Sequence, residues 1–499
     1  MSGVANRLLK GTAWMSGARV IVNVLSLLST FVLARLLSPD DFGLVALCTT
    51  LLLLVNEVTE LSLAQALVRH ADPTREHFDT AWTLNAARGL LLGLLFWLAA
   101  YPMAKIYSDP RLVGIMATLG ASIAISGMTN PRRILLTRQL IFWQEFVLNV
   151  GQKIAGVAVT IAVAYWYQSY WALVLGILAT QATNLVISYM VLPYLPRVRL
   201  AHARELFSFS LWITAVQIVN SLNWRFDILF VGKLLGNTAL GHYTMGNTLA
   251  SLPTRETTSP LRQTLFPAFA SFRDDNARLA SAYQRAQGVI TLIALPAGIG
   301  AAFVADPLIR VAMGEKWIPT IFIVQMLATV FAVQTIGSSA DSLGMAKGAT
   351  RLLFVRSLQL LLVRIPIIVL AMWQFGMTGL ITARVLTGLV GMWVNLHIVR
   401  ELIGLSIRAQ LAANGGVLAA AAVMAAAAAS ASALFPHGAA ASASRLVFEV
   451  LTVGTTAIVT FTLAVFLIWQ ARGRPPGAEQ EVFRLLTKVW GKLRAPRQA

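Results

Sequence analysis

The sequence predicts an all-α integral membrane protein of about 14 transmembrane helices, arranged as two parallel-repeat six-helix bundles plus two C-terminal helices. Three observations predict it. Apolar stretches of membrane-crossing length recur along the whole chain, basic residues gather in alternate connections, and a pattern near the start returns at a fixed offset.

Composition sets the class. Hydrophobic residues make up 57% of the 499 positions and charged residues 12%, where a water-soluble globular chain carries about 25% charged residues. An exterior with half that charge faces hydrocarbon rather than water. Mean hydropathy is +0.70. The net charge of +19 does not indicate nucleic acid, because the basic residues sit in short connections between apolar runs and make no soluble basic face. The single cysteine, Cys48, lies in an apolar run as a small packing residue, and no Cys/His metal spacing occurs. No metal or cofactor is expected.

The predicted spans are 13–35, 43–66, 80–102, 112–130, 144–167, 170–193, 208–232, 242–268, 286–305, 319–344, 352–373, 377–398, 409–434 and 447–470. The stretch Met1–Thr12 is short and basic, and the apolar run after it exceeds a signal-peptide core, so it reads as a first span retained in the protein. The eighth span is the least apolar, carrying Arg255, Glu256, Pro253 and Pro260. Lys and Arg crowd one set of connections, among them Arg132, Arg133 and Arg138, then Arg197, Arg199 and Arg204, then Arg273, Arg278 and Arg285. That bias orients both termini to the cytoplasm.

Trp14 and Trp212 are 198 positions apart, and at the same offset Ala34-Arg35-Leu36-Leu37 falls on Gly232-Lys233-Leu234-Leu235 and Gly43 on Gly241. An offset of six spans is even, so the repeat is parallel. The expected organisation is an N-lobe over 1–200, a C-lobe over 201–405, two further spans over 406–471 and a basic tail over 472–499. The thirteenth span is dominated by alanine, which permits close helix approach. In the tail, Val482, Leu486, Val489 and Leu493 alternate with Arg484, Lys488 and Lys492 as in an amphipathic helix lying on anionic lipid.

The sequence holds no Walker A loop, GxSxG or HExxH, so neither an ATP-driven pump nor a membrane protease is expected. What stands out is charge at membrane depth, which is costly unless solvated or paired. Arg19, Arg88 and Lys153 fall in the cytoplasmic half of the first lobe and are candidates for a basic pocket that takes a phosphate-bearing headgroup. Snorkelling to the interface is the other reading of Arg19 and Lys153. Glu57 and Glu60 share a helix face and are candidates to hold a proton or cation, or to pair with an arginine of a neighbouring helix. Arg225 and Asp227 read as a salt bridge or as part of an ion site. Arg255 and Glu256 sit between two prolines that let a helix bend, and Arg255 is expected to line a cavity.

The stretch Gly11-Thr12-Ala13-Trp14 with Leu33-Ala34-Arg35-Leu36-Leu37-Ser38-Pro39-Asp40-Asp41-Phe42-Gly43 resembles the opening of the polysaccharide-transporter branch of the MOP exporter superfamily. Asp227-Ile228-Leu229-Phe230-Val231-Gly232-Lys233-Leu234-Leu235-Gly236, Leu240-Gly241-His242-Tyr243 and Leu265-Phe266-Pro267 are similar to its second-lobe pattern, and the likeness covers roughly residues 5–400. The resemblance implies a Wzx-type oligosaccharide flippase of the bacterial inner membrane. Such a protein moves an undecaprenyl-diphosphate-linked glycan from the cytoplasmic to the periplasmic leaflet by alternating access. Its expected partners are the polyprenyl-diphosphate-linked oligosaccharide, membrane lipids, a polysaccharide polymerase and glycosyltransferases. The family's cavity arginine in the first helix matches Arg19, whereas its other cavity positions do not align so readily; Arg88, Lys153 and Arg255 are the further candidate substrate contacts and Glu57, Glu60, Asp227 or Glu256 the candidate carriers of a coupling ion. A lipid II flippase and a multidrug cation antiporter are the alternatives, the second disfavoured by the excess of arginine and lysine over carboxylates. A polymerase or ligase needs a large outer loop that the span pattern does not leave.

Overall fold

The computed structural model describes residues 2–59, 67, 73–138, 142–201, 203, 211–435, 442–474 and 478–480. Glu60 and the amphipathic stretch 481–494 lie outside the described residues. The described chain is helical, with no strand among the described residues, and it divides into two compact units, Met1–Gly241 and His242–Ala499.

The first unit contains α1 (Ser2–Leu36), α2 (Pro39–Thr59), α3 (Arg75–Tyr107), α4 (Arg111–Gly127), the short α5 (Arg133–Arg138), α6 (Phe142–Tyr167), α7 (Trp171–Val191) and α8 (Leu211–Leu234), and it takes in the first turn of α9 (Gly236–Ala270). The second unit continues α9 and adds α10 (Asn276–Ala312), α11 (Ile318–Gln334), α12 (Ala340–Ala346), α13 (Thr350–Ile403), α14 (Ile407–Ala413), α15 (Gly415–Ala433) and α16 (Ala443–Ala471). The division falls after Gly241, where α8 packs against α2. In the second unit α15 and α16 pack on α10: Ala420, Ala421, Met424 and Ala428 meet Val453, Ala457 and Phe461 beside Leu292 and Leu295.

Ten helical segments among the described residues are long and apolar enough to cross a membrane. The remaining predicted spans coincide with helices that are short or polar. Helix α4 has 17 residues. Helix α8 carries Arg225, Asp227 and Lys233, and α9 contains Pro253, Pro260 and Pro267. Helix α13 runs 54 residues, which at about 1.5 Å per residue far exceeds one bilayer crossing. Its Gly376 adopts φ 59°, ψ −136°, a conformation open to glycine, and divides it where the sequence places the gap between two spans.

Small residues set the helix spacing in the first unit. A Cβ on Gly93 would stand 2.6 Å from the Gly120 carbonyl, which fixes the close approach of α3 and α4. At the turn before α2, Ser38 and Asp41 cap the helix reciprocally: Asp41 accepts the Ser38 backbone N–H at 3.0 Å and donates its own N–H to Ser38 Oγ at 3.2 Å. Asp41 also accepts the N–H of Tyr170 at 3.2 Å, tying this turn to the α6–α7 connection. Asp40 pairs with Arg111 at 2.8 Å, Arg111 pairs with Asp109 at 2.7 Å, and Asn237 donates to Asp109 at 2.9 Å. Beneath this network the first turns of α2 and α9 cross: a Cβ on Gly43 would stand 1.8 Å from the Asn237 carbonyl, and one on Gly241 1.8 Å from the Pro39 carbonyl.

Partial burial pushes the Asp109 carboxyl up, but hydrogen bonds from the Arg111 guanidinium and backbone and from Asn237 outweigh it and hold the carboxyl below the usual carboxylate range. A depressed folded-state value stabilises fully above the unfolded value of about 3.9 and loses that stabilisation as pH falls through the folded value. The stability gap between wild type and Arg111→Met, measured by thermal unfolding in detergent, is therefore expected to be constant above about pH 5 and to shrink below about pH 4. At the crossing, Gly43→Ala and Gly241→Ala are each expected to destabilise by about 1–3 kcal/mol. Gly17→Ala, with nothing within 4 Å of its Cβ position, is expected to leave the melting temperature unchanged or raised.

Candidate functional site

A cavity of about 480 Å³ lies among α1, α6 and α7 of the first unit. On α1 its wall is Met15, Ala18, Arg19, Val22 and Asn23, a single face at helical spacing. On α6 it is Glu145, Phe146, Asn149, Gln152 and Lys153, a polar stripe on an otherwise apolar helix, and α7 adds Thr180 and Gln181. Two contacts dock α1 on α6. The rings of Trp14 and Phe146 meet edge-on with centroids 5.1 Å apart, and Gly11 leaves room for the Phe142 ring. Helices α6 and α7 approach through Gly156 and Gly176, where an added Cβ would stand 2.0 Å from Thr180 Oγ1 and 1.8 Å from Thr160 Oγ1 respectively. Those threonine hydroxyls donate back to their own helix carbonyls, Thr160 to Gly156 at 2.7 Å and Thr180 to Gly176 at 2.8 Å, so the seam carries no stranded donor.

The charge of this pocket is unbalanced. Glu145 is clasped by Arg133, whose Nε donates to its two carboxylate oxygens at 3.0 and 3.1 Å and whose Nη2 donates to Oε1 at 2.5 Å. Arg133 Nη2 also donates to Asn149 Oδ1 at 3.2 Å. Among the described residues, no carboxylate stands within salt-bridge distance of Arg19 or Lys153. Two cations thus share the pocket with one acid that is already neutralised. Amides and a hydroxyl (Asn23, Asn149, Gln152, Gln181 and Thr180) supply donors and acceptors around them. The arrangement suits an anion that also offers hydroxyl groups.

Arg19 and Lys153, expected together from the sequence, share this pocket; Arg88 does not. Its Nη2 donates to the Asn56 carbonyl at 2.8 Å and to Asn56 Oδ1 at 3.1 Å, and its Nε to Thr59 Oγ1 at 3.1 Å. The guanidinium therefore lies along α2, bonded to a backbone carbonyl and two polar side chains of that helix. Glu57 faces Arg225 of the neighbouring helix α8 at 4.0 Å. Asp227 is fully buried in α8 and accepts the Ile228 N–H at 3.0 Å. Arg255 and Glu256 belong to the second unit, where they pair with each other at 3.2 Å while the Arg255 side chain stays 62% exposed. Asn23, Asn149, Gln152, Thr180 and Gln181 escaped the sequence reading, which searched for charge. The signal was present on α6, where positions 145, 149, 152 and 153 put four polar side chains on one face. Among the described residues no group of three His, Cys, Asp or Glu side chains is placed to hold a metal.

A family model described as polysaccharide biosynthesis protein matches residues 32–322, more than half of the chain. The lipopolysaccharide biosynthesis protein WzxC of Escherichia coli (strain K12) is 24% identical over 405 residues, covering 80% of this chain and 82% of that protein. The succinoglycan biosynthesis transport protein ExoT of Rhizobium meliloti (strain 1021) is 25% identical over 288 residues, 57% of this chain and 58% of that protein. In fold, the chain is similar to the lipid II flippase MurJ in its inward closed conformation, with a TM-score of 0.72 at 13% identity over 92% of this chain and 99% of that one. The class is a multi-pass membrane transport protein built like the flippases, not an enzyme. The chain belongs to the polysaccharide biosynthesis protein family.

Arg88→Ala removes a charged donor from Asn56 and Thr59 of α2 and is expected to lower stability by about 2 kcal/mol. Arg88→Lys, which keeps the charge but not the fork, is expected to recover part of that in the same thermal melts.

Proposed function

We propose that the protein is a lipid-linked oligosaccharide flippase, moving an undecaprenyl-diphosphate-linked glycan from the cytoplasmic to the periplasmic leaflet of the bacterial inner membrane. The observation that carries this reading is the pair Arg19 and Lys153, two cations with no carboxylate within salt-bridge distance among the described residues, set in an amide-lined pocket between apolar helices. A diphosphate diester bears two negative charges, matching the two cations, and its sugar offers hydroxyls to the amides. The lipid tail stays in hydrocarbon while the headgroup occupies the pocket, which opens alternately toward the two leaflets.

Both termini lie in the cytoplasm and the chain crosses fourteen times as a parallel repeat with two added helices. A helix over each predicted stretch, the break at Gly376, and the contact of Gly43 with a turn at the 198-residue offset (Thr238 donates to Asp40 at 3.4 Å) support this. Within the second unit Arg255 is a further candidate substrate contact, and Asp227, Glu57, Glu60 or Glu256 carries a coupling ion. Glycosyltransferases supply the substrate and a polymerase consumes the product.

The test is headgroup translocation in inverted inner-membrane vesicles with a short-chain polyprenyl-diphosphate sugar. Wild type is expected to transport, and Arg19→Ala and Lys153→Ala each to lose at least about tenfold in rate, the equivalent of one lost charged contact. Arg445→Ala, at the start of α16, is expected to match wild type. Equal transport by all four proteins would sink the proposed site. Transport of a peptidoglycan precursor in place of a glycan-only substrate would move the assignment to a lipid II flippase.

A further inference from the structure

The first unit's pocket contains one carboxylate among its described lining residues, Glu145. An acid in the wall of an anion site is a liability unless something holds its charge. Arg133 does so from outside the lining, at the start of α5, with three guanidinium contacts to Glu145 and a fourth to Asn149, itself a wall residue. The pair is not sealed: the side chains are 33% and 20% exposed. The guanidinium fork that takes two carboxylate oxygens takes two phosphate oxygens with the same geometry. A partner bearing two negative charges and seated between Arg19 and Lys153 competes for that fork with an advantage over a single carboxylate.

We propose that Glu145 is an internal stand-in for phosphate: it occupies Arg133 while the pocket is empty, and an entering diphosphate displaces it, so that Arg133 joins Arg19 and Lys153 as a third ligand-binding cation. This rests on the reading of the pocket as a diphosphate site. Arg133 and Glu145 thereby set specificity. A monoanionic headgroup does not displace the carboxylate and meets its negative charge, whereas a diphosphate exchanges with it.

The test is calorimetric binding of inorganic pyrophosphate to the full-length protein in lipid nanodiscs, where no translocation is needed. Glu145→Gln frees Arg133 and is expected to bind pyrophosphate roughly tenfold more tightly than wild type. Arg133→Gln is expected to bind about tenfold more weakly, and the double variant no more tightly than Arg133→Gln alone. Arg19→Ala, expected to weaken binding in every background, ties the signal to this pocket. Should Glu145→Gln fail to fold, Glu145→Asp, which draws the carboxylate back by one methylene, is expected to shift affinity the same way by less. A gain of affinity is not what loss of a structural ion pair produces. Unchanged or weaker binding by a folded Glu145→Gln protein, a double variant as tight as Glu145→Gln, or no binding by any variant overturns the proposal. Absent translocation with the Glu145→Gln gain intact defeats the flippase reading alone; normal translocation without the gain defeats the exchange alone.

Discussion

In a bilayer core, water is not there to satisfy a polar group, so each one must find its partner within the helices. Most of this structure's detail follows from that constraint. Hydroxyls in the spans turn back onto carbonyls four residues earlier, as at Thr49, Thr118, Thr180 and Thr452. Arg88 bonds to Asn56 of α2, Glu57 faces Arg225, and Glu145 is held by Arg133. In the pocket among α1, α6 and α7 this compensation is incomplete for charge: Arg19 and Lys153 have amides and space beside them, and among the described residues no carboxylate within salt-bridge distance. On the proposed reading, the headgroup of a substrate supplies the missing counter-charge.

The second organising feature is close approach through glycine. The stretch around Ser38-Pro39-Asp40-Asp41 and Gly43 looks in sequence like a signature, and in the structure it is a joint. Asp41 caps α2 and holds the α6–α7 connection, Asp40 binds Arg111, and Gly43 lets the first turn of α9 cross. None of these residues lines the pocket. The residues by which the family is recognised are thus those that fix the helix ends, while the pocket is built from side chains at other positions.

Much of the fold was legible because its cause is local: the length and apolar character of the helices and the break at Gly376 are written as composition and spacing. The packing of α8 on α2 was not, since it is a tertiary contact that hydropathy does not record. At the site, Arg19 and Lys153 were readable as charges in apolar helices, and Arg88 looked the same. Only geometry separates a guanidinium turned onto helix carbonyls from one facing a cavity. The neutral amides were hidden because a single Asn or Gln in a span is unremarkable; their meaning comes from convergence across three helices.

The proposed site seats a diphosphate headgroup among α1, α6 and α7. Photolabelling in membranes can locate that headgroup, using a polyprenyl-diphosphate sugar with a photoreactive group on the first sugar and peptide mapping of the adducts. Adducts are expected within residues 15–23, 145–153 and 180–181, suppressed by excess unlabelled diphosphate. Saturable labelling confined to other helices, with these segments untouched, would contradict the proposed site.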